Sequence, residues 1–145
     1  LYFDQRGLLW IQTDDGAYRD TVNNQMLVAI PGEVGDGGML TFTNDFGDEE
    51  NTTFVGKDAS AVNLRRFLVG PKGCEITGIT MTPDARSLFI NVQHPGEGGS
   101  AGNFNTDVST WPNPNGNALA LGNGASRPRS ATIVITREDN GEIAL

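Results

Sequence analysis

Short apolar stretches alternate with polar turns along most of the chain, and almost no segment keeps apolar residues at helical spacing. The clearest example is Ser130–Thr136, which places Ala131, Ile133 and Ile135 on one face of an extended segment. This period of two residues is typical of a half-buried β-strand. Only Lys57–Leu64 has a spacing that predicts a turn or two of helix.

The same reasoning predicts a series of short strands joined by Gly-, Pro-, Asn- and Asp-containing turns. The predicted strands are Leu1–Asp4 (a strand end), Leu8–Thr13, Gln25–Ile30, Met39–Thr43, Arg65–Val69, Glu75–Thr82, Ser87–Val92, Ser130–Thr136 and a last strand that begins at Glu142–Leu145. Residues 31–62 are interpreted as an inserted hairpin or long loop. Residues 98–128 form a long loop for which Phe104 and Trp111 are the predicted anchors.

One pattern of strands and turns occurs twice, each time with an Asp-x-Arg turn, at Asp4-Gln5-Arg6 and at Asp84-Ala85-Arg86. Repeats of about four strands are typical of propeller blades. We therefore predict an all-β fold of about two four-stranded blades of a β-propeller, the last incomplete, with long inserted loops. Residues 1–70 form one predicted blade and residues 71–145 the second. Since two blades cannot close a ring, and Leu1 falls inside a strand, we expect a fragment of a larger propeller domain.

The composition excludes some classes of partner. The formal net charge is -8 and the pI is about 4.4, which argues against nucleic acid because phosphate neutralisation needs a basic face. An acidic surface is compatible with cation binding. No apolar run is long enough to span a bilayer, and one cysteine cannot form an internal disulfide.

The turn Gly70-Pro71-Lys72-Gly73 is followed at once by Cys74 and Glu75. Acidic residues are depleted in strands, so a carboxylate at the start of a strand indicates a cavity, an ion or a partner. The alternative is that Glu75 ends in solvent and that Cys74 is a small buried hydrophobe. The spacing alone slightly favours this second interpretation.

Propeller topology brings several polar residues to one rim of the fold. These residues are Asp14, Asp15, Asn23, Asn24, Lys72, Cys74, Glu75, His94, Glu97, Arg127 and Arg129. Carboxylates suit hard cations, and arginines suit anionic oxygens. Each residue also has an ordinary interpretation, His94 as a structural loop histidine and Asp14 and Asp15 as turn caps.

Several motifs resemble those of the PhoX-type alkaline phosphatases, and they occur in that family's order. The motifs are Leu9-Trp10-Ile11-Gln12-Thr13-Asp14-Asp15-Gly16, Asn23-Asn24-Gln25-Met26-Leu27, Arg66-Phe67-Leu68, Gly70-Pro71-Lys72-Gly73-Cys74-Glu75-Ile76-Thr77-Gly78, Asn91-Val92-Gln93-His94-Pro95-Gly96-Glu97 and Arg127-Pro128-Arg129-Ser130-Ala131-Thr132.

The resemblance implies a six-bladed propeller that hydrolyses phosphomonoesters, is exported by the twin-arginine route to the periplasm or beyond, and holds iron and calcium. It implies Glu75, and less directly Asp14 and Asp15, as metal ligands. Lys72, His94, Arg127 and Arg129 are candidate contacts to a phosphorylated small molecule. The family's iron-binding cysteine lies in a Thr-Cys-Glu-Glu stretch that this chain lacks, so that role does not pass to Cys74. No catalytic residue is assigned.

Two alternatives stay open at this point, a propeller-derived binding or scaffold module and a lactonase-like calcium propeller hydrolase. Under the phosphatase interpretation, we expect the chain on its own to be inactive and to self-associate through exposed apolar faces. Binding of the parent's calcium and iron by the chain alone stays open at this point.

Overall fold

A computed structural model describes residues 1–14, 16, 21–47, 49–97, 109–112 and 128–144. The strands are β1 (Tyr2–Phe3), β2 (Leu9–Gln12), β3 (Gln25–Ala29), β4 (Gly38–Thr43), β5 (Glu50–Val55), β6 (Leu64–Val69), β7 (Glu75–Met81), β8 (Ser87–Gln93) and β9 (Ala131–Thr136). None of the described residues lies in an α-helix, and no helix among them is long and apolar enough to cross a membrane.

The strands of the described residues form three antiparallel sheets. The first has four strands in the order β1-β2-β3-β6, the second is the β4-β5 hairpin, and the third has three strands in the order β7-β8-β9. Strand order follows chain order in the first and third sheets apart from the hairpin inserted between β3 and β6. This is the arrangement of one propeller blade and an incomplete second blade, which confirms the predicted all-β fold class.

The hydrophobic core joins the first sheet to the third. Trp10 and Met26 of the first sheet and Leu88 of the third sheet are fully buried, and Ile90 of the third sheet is 1% exposed. The ring of Phe67 packs edge-on against Trp10, with centroids 4.9 Å apart. The predicted alternation in β9 is confirmed, because Ala131, Ile133 and Ile135 are half-buried while the residues between them are exposed. Trp111 packs against this core, as expected for a loop anchor; Phe104 lies outside the described residues.

A bulge in β7 changes which side of the strand its apolar residues face. Ile76 and Ile79 are three positions apart, so a regular strand would turn them to opposite faces. The register with β8 shifts between Thr77 and Ile79, and Gly78 adopts φ +56° there. A Cβ at Gly78 would meet the Asn91 side chain, and the positive φ favours glycine at this bulge. The bulge lets Ile76 and Ile79 contact the same core.

The segment 31–62 contains a hairpin, one of the two interpretations that the sequence left open. Its six cross-strand pairs run from Gly38↔Val55 to Thr43↔Glu50. Apolar side chains remain exposed on it, with Met39 at 60%, Phe42 at 48% and Phe54 at 67%.

The turn or two of helix predicted over Lys57–Leu64 is limited to one turn at residues 61–63, in which Leu64 N donates to Ser60 O at 2.8 Å. Asn63 Oδ1 accepts hydrogen bonds from Ser60 N at 2.6 Å and from Ser60 Oγ at 3.0 Å. These bonds cap a single turn, and the chain enters β6 at Leu64 before a helix can continue. Leu64 then pairs with Ala29 as the first residue of β6.

The strand predicted to begin at Glu142 is wrong over residues 142–144, none of which lies in a strand, and residues 143 and 144 form a turn. Ile143 is 2% exposed in the core and its N–H donates to Ala85 O at 2.9 Å. Ala144 has φ +63°, which is incompatible with a strand. Burial of Ile143 therefore directs the chain across the end of the third sheet.

A buried carboxylate, Asp4, organises the first Asp-x-Arg turn and ties the two sheets together. Its oxygens accept hydrogen bonds from Arg6, the Leu8 N–H and Trp10 Nε1, the last at 3.1 Å. Arg6 in turn donates to Ile143 O at 2.9 Å. Burial alone would raise the pKa of Asp4, but the hydrogen bonds from Arg6, Trp10 and the backbone outweigh it, and the pKa lies below the ordinary value of 3.8.

We predict that Asp4→Asn lowers the free energy of unfolding by about 3 kcal/mol at neutral pH, because one partner of a buried pair is removed. A lowered pKa in the folded state stabilises the protein above the ordinary carboxyl pKa, and this contribution is lost as the pH falls below 3.8. Chemical denaturation at several pH values should therefore show a difference between wild type and Asp4→Asn that shrinks in acid. A difference independent of pH would contradict the ionised state of Asp4.

Candidate functional site

The turn between β6 and β7 carries the chain from the first sheet to the third. Gly70 N donates to Asn24 O at 2.8 Å, and Asn24 Nδ2 donates to Cys74 O at 3.0 Å, so Asn24 holds both ends of the turn. Cys74 N donates to Pro71 O, and Gly73 has φ +69°, as the third position of a type II turn requires. The turn thereby fixes where β7, and with it Glu75, begins.

A second turn follows β8 and lies against the first. Glu97 N donates to His94 O at 3.2 Å, closing a turn in which Pro95 is buried and Gly96 has φ +86°. His94 has φ +32°, and its N–H donates to Ser130 Oγ at 2.9 Å. A Pro-Gly pair at the centre is typical of a type II turn, so the local sequence produces this conformation.

The backbones of the two turns are in direct contact. Gly96 N donates to Lys72 O at 2.8 Å, and Glu97 N donates to Gly73 O at 3.1 Å. A Cβ on Gly73 would lie 2.8 Å from both the N and the O atom of Glu97. The contact therefore requires glycine at position 73 for its space as well as for its backbone conformation.

This contact brings three side chains with metal-binding chemistry together. His94 Nε2 lies 3.0 Å from Glu75 Oε1, and His94 Nδ1 lies 3.6 Å from Glu97 Oε2. One ligand atom from each residue lies within 4.8 Å of the other two. Among the described residues, no other group of three or more His, Cys, Asp or Glu side chains meets this condition. The side chains of Glu75 and His94 are 23% and 34% exposed, and that of Glu97 is 57% exposed. The cluster is thus a half-buried, solvent-accessible site.

Cys74 does not belong to this cluster. It is 2% exposed in the core, on the opposite side of β7 from Glu75, as strand alternation predicts. Burial raises the pKa of its thiol to about 11. A protonated, buried thiol is inert as a nucleophile or metal ligand, so Cys74 is a packing residue.

The structure unites only part of the residue set that the sequence proposed. Glu75 and His94 meet, and Glu97, expected on the rim but not as a site residue, joins them. Asp14 and Lys72 are exposed and Arg129 is half-buried. Among the described residues, their side chains make no hydrogen bond or ion pair with the cluster. Asp15 and Arg127 lie outside the described residues. The sequence signal that could have identified Glu97 as a site residue is its position three residues beyond His94, across a Pro-Gly turn.

The fold and the cluster together define a class, an all-β propeller-type protein with a carboxylate and histidine site where β7 begins. A family model, described as alkaline phosphatase PhoX, matches residues 1–96. Among solved structures, the chain is similar to Pseudomonas fluorescens PhoX in complex with vanadate, a transition state analogue, with 35% sequence identity and a TM-score of 0.59. No curated protein matches the chain.

The chain therefore belongs to the PhoX alkaline phosphatase family. The likeness to the Pseudomonas structure covers 98% of this chain and 18% of that one. The family match includes Glu75 and His94 and stops one residue before Glu97.

We predict that Gly73→Ala disturbs the cluster without changing any of its side chains. The added Cβ meets the Glu97 backbone, so the turn must shift, whereas Gly38→Ala carries the same positive-φ penalty with nothing within 4 Å. Gly38→Ala should cost about 1 kcal/mol, and Gly73→Ala clearly more. Denaturation measures the cost, and the NMR signals of the chain's single histidine report the cluster. Equal costs with unchanged histidine signals would contradict the contact.

Proposed function

We propose that this chain forms part of a metal-dependent alkaline phosphatase that hydrolyses phosphomonoesters. The observation that carries the proposal is the cluster of Glu75, His94 and Glu97 at the start of β7, in a chain of the PhoX family. Vanadate, present in the related Pseudomonas structure, has the charge and oxygen geometry of a phosphoryl group in transfer. A site for such an anion needs cations or cationic side chains close to it.

The donor set of the cluster fits metal binding. Two carboxylates offer the oxygen ligands that calcium and ferric iron accept, and an imidazole suits iron and other transition metals. Glu75, His94 and Glu97 would hold such a cation, which would supply positive charge to neutralise phosphate oxygens and polarise the phosphorus. Of the family metals, iron agrees with all three residues, and calcium with the carboxylates only.

The roles of this chain's own residues follow from their chemistry. Glu75 and Glu97 supply negative charge to hold a cation, and His94 supplies a nitrogen ligand or a proton donor. Lys72, Arg127 and Arg129, with Asp14 and Asp15, complete the proposed rim as contacts to the phosphorylated substrate or to further cations. We also propose the periplasm or the extracellular space as the place of action, as implied by twin-arginine export of the family.

We predict that, in a full-length protein containing this chain, Glu75→Gln keeps the fold and lowers phosphomonoester turnover at least about tenfold. The amide is nearly isosteric with the carboxylate but removes one negative charge from the cluster. Glu138→Gln, the same substitution at an exposed site away from the cluster, is the matched control and should keep full turnover.

Cys74→Ser should also retain turnover, because Cys74 packs on the other side of the strand. Turnover and bound metal per chain are measured for all three variants. Full activity and metal content in Glu75→Gln would remove this cluster from the catalytic site.

We predict that the 145-residue chain alone shows no phosphatase turnover and self-associates. Catalysis by cations held from several sides loses its geometry when most of the site is absent, and the chain spans 18% of the related structure. Exposed side chains such as Phe3 at 62% and Phe54 at 67% favour association. A phosphomonoester assay and light scattering test both points. Metal-dependent turnover by a monomeric chain would contradict both points. If the protein is instead a scaffold, the full-length protein should show neither phosphomonoester turnover nor bound metal.

A further inference from the structure

We infer that the face of β7, β8 and β9 beside Glu75 binds the alcohol part of the substrate, and that this part is a polyhydroxylated alcohol or a sugar. The inference rests on the proposed function and deepens it, since it names a class of phosphomonoester. Its test compares two esters in one protein, so its failure and the failure of the proposed function give different results.

Strand register places a row of polar side chains directly beside Glu75. Glu75 pairs with Gln93 across β7 and β8, and the next pair on the same face is Thr77 with Asn91. Asn91 pairs in turn with Thr132 of β9. A strand rises by about 3.4 Å per residue, so the second pair lies about 7 Å from the first. This distance suits a small polyol whose phosphate group lies beside Glu75.

A groove on the surface of the third sheet is formed by these side chains. Its volume is about 360 Å³, within the range of small-molecule sites. None of the described residues that line it is charged, and the polar ones are Thr77, Asn91, Gln93, Ser130 and Thr132. Ser130 Oγ also accepts the hydrogen bond from His94 N at 2.9 Å. The groove is therefore joined to the cluster both through Ser130 and through the Glu75–Gln93 pair.

The hydrogen bonds inside the groove leave donors available for a ligand. Thr132 Oγ1 donates to Asn91 Oδ1 at 2.7 Å, and Thr77 Oγ1 donates to Gln93 Oε1 at 3.4 Å. Asn91 and Gln93 are exposed, and among the described residues their amide nitrogens donate to no acceptor. The two threonine oxygens keep lone pairs that accept hydrogen bonds. Amide donors beside hydroxyl acceptors match a chain of hydroxyl groups, since each hydroxyl both donates and accepts.

The bulge in β7 makes room for one of these amides. A Cβ at position 78 would meet Asn91 Nδ2, so glycine at this position leaves space for the Asn91 amide on the groove side of the sheet. β-Bulges are common beside active sites, where they change the direction of a side chain. The irregularity in β7 therefore lies where the inference places the alcohol part of the substrate.

The competing explanation is that this face only packs against a neighbouring blade of the ring. The core between the first and third sheets shows that such packing is apolar. The half of the face away from Glu75 fits it, because Phe89 and Val134 pair there across β8 and β9. The half beside Glu75 carries amides and hydroxyls, which would need hydrogen-bond partners if they were buried. This division favours packing at one half and a polar ligand at the other.

The experiment compares glycerol phosphate with propyl phosphate in a full-length protein containing this chain. The two esters share a carbon chain, and only glycerol phosphate carries further hydroxyl groups. The ratio of their kcat/KM values is measured, because a loss of folded protein cancels in it. Asn91→Ala and Thr132→Val should each lower this ratio by about fivefold, as the loss of one hydrogen bond does. Thr136→Val, the same change at the exposed far end of β9, is the matched control and should leave the ratio unchanged.

A ratio that stays at the wild-type value in both Asn91→Ala and Thr132→Val would overturn the inference and assign this face to packing. An equal loss of kcat/KM for the two esters leaves the ratio unchanged and has the same meaning. A ratio that falls as far in Thr136→Val as in Thr132→Val would also overturn it, because the effect would not belong to the groove. A full-length protein that hydrolyses neither ester would instead overturn the proposed function, and this inference with it.

Discussion

The backbone of Gly73 lies so close to the backbone of Glu97 that no side chain fits between them. This contact, with the hydrogen bonds from Gly96 and Glu97 to the carbonyls of Lys72 and Gly73, joins the turn before β7 to the turn after β8. Everything at the candidate site depends on it, because Glu75 leaves the first turn and His94 and Glu97 belong to the second. Glycine at position 73 is thus needed for Glu75, His94 and Glu97 to come together, as well as for the turn itself.

The interface between the first and third sheets is also positioned by hydrogen bonds. Its middle is apolar, with Trp10, Met26 and Leu88 fully buried. Its two ends are polar, since Asn24 bonds to Cys74 O at one end and Arg6 bonds to Ile143 O at the other. Apolar packing supplies most of the stabilisation but little direction. The directional hydrogen bonds at the ends set the position of one sheet on the other, and so the position of Glu75.

The chain brings acidic and imidazole side chains together where β7 begins. The buried, protonated state of Cys74 assigns that residue to packing, although it is adjacent to Glu75. Alternation along β7 separates the two residues by turning one into the core and the other toward His94. A packing residue and a site residue can therefore be neighbours in sequence without sharing a function.

The sequence by itself determined most of the strands, the Pro-Gly and Gly-Pro turns and the fold class, because alternation and turn chemistry are local properties. It also selected Glu75 and His94, through their place beside those turns. Local pattern overestimated the helix at Lys57–Leu64, where the chain forms one turn before β6. It failed at Glu142, because residues 143 and 144 form a turn in which Ile143 is buried. The spacing places Glu97 close to His94, but it does not bring this pair to Glu75. Only the tertiary contact through Gly73 decides which carboxylates meet the imidazole, because it joins residues that are more than twenty positions apart in the chain.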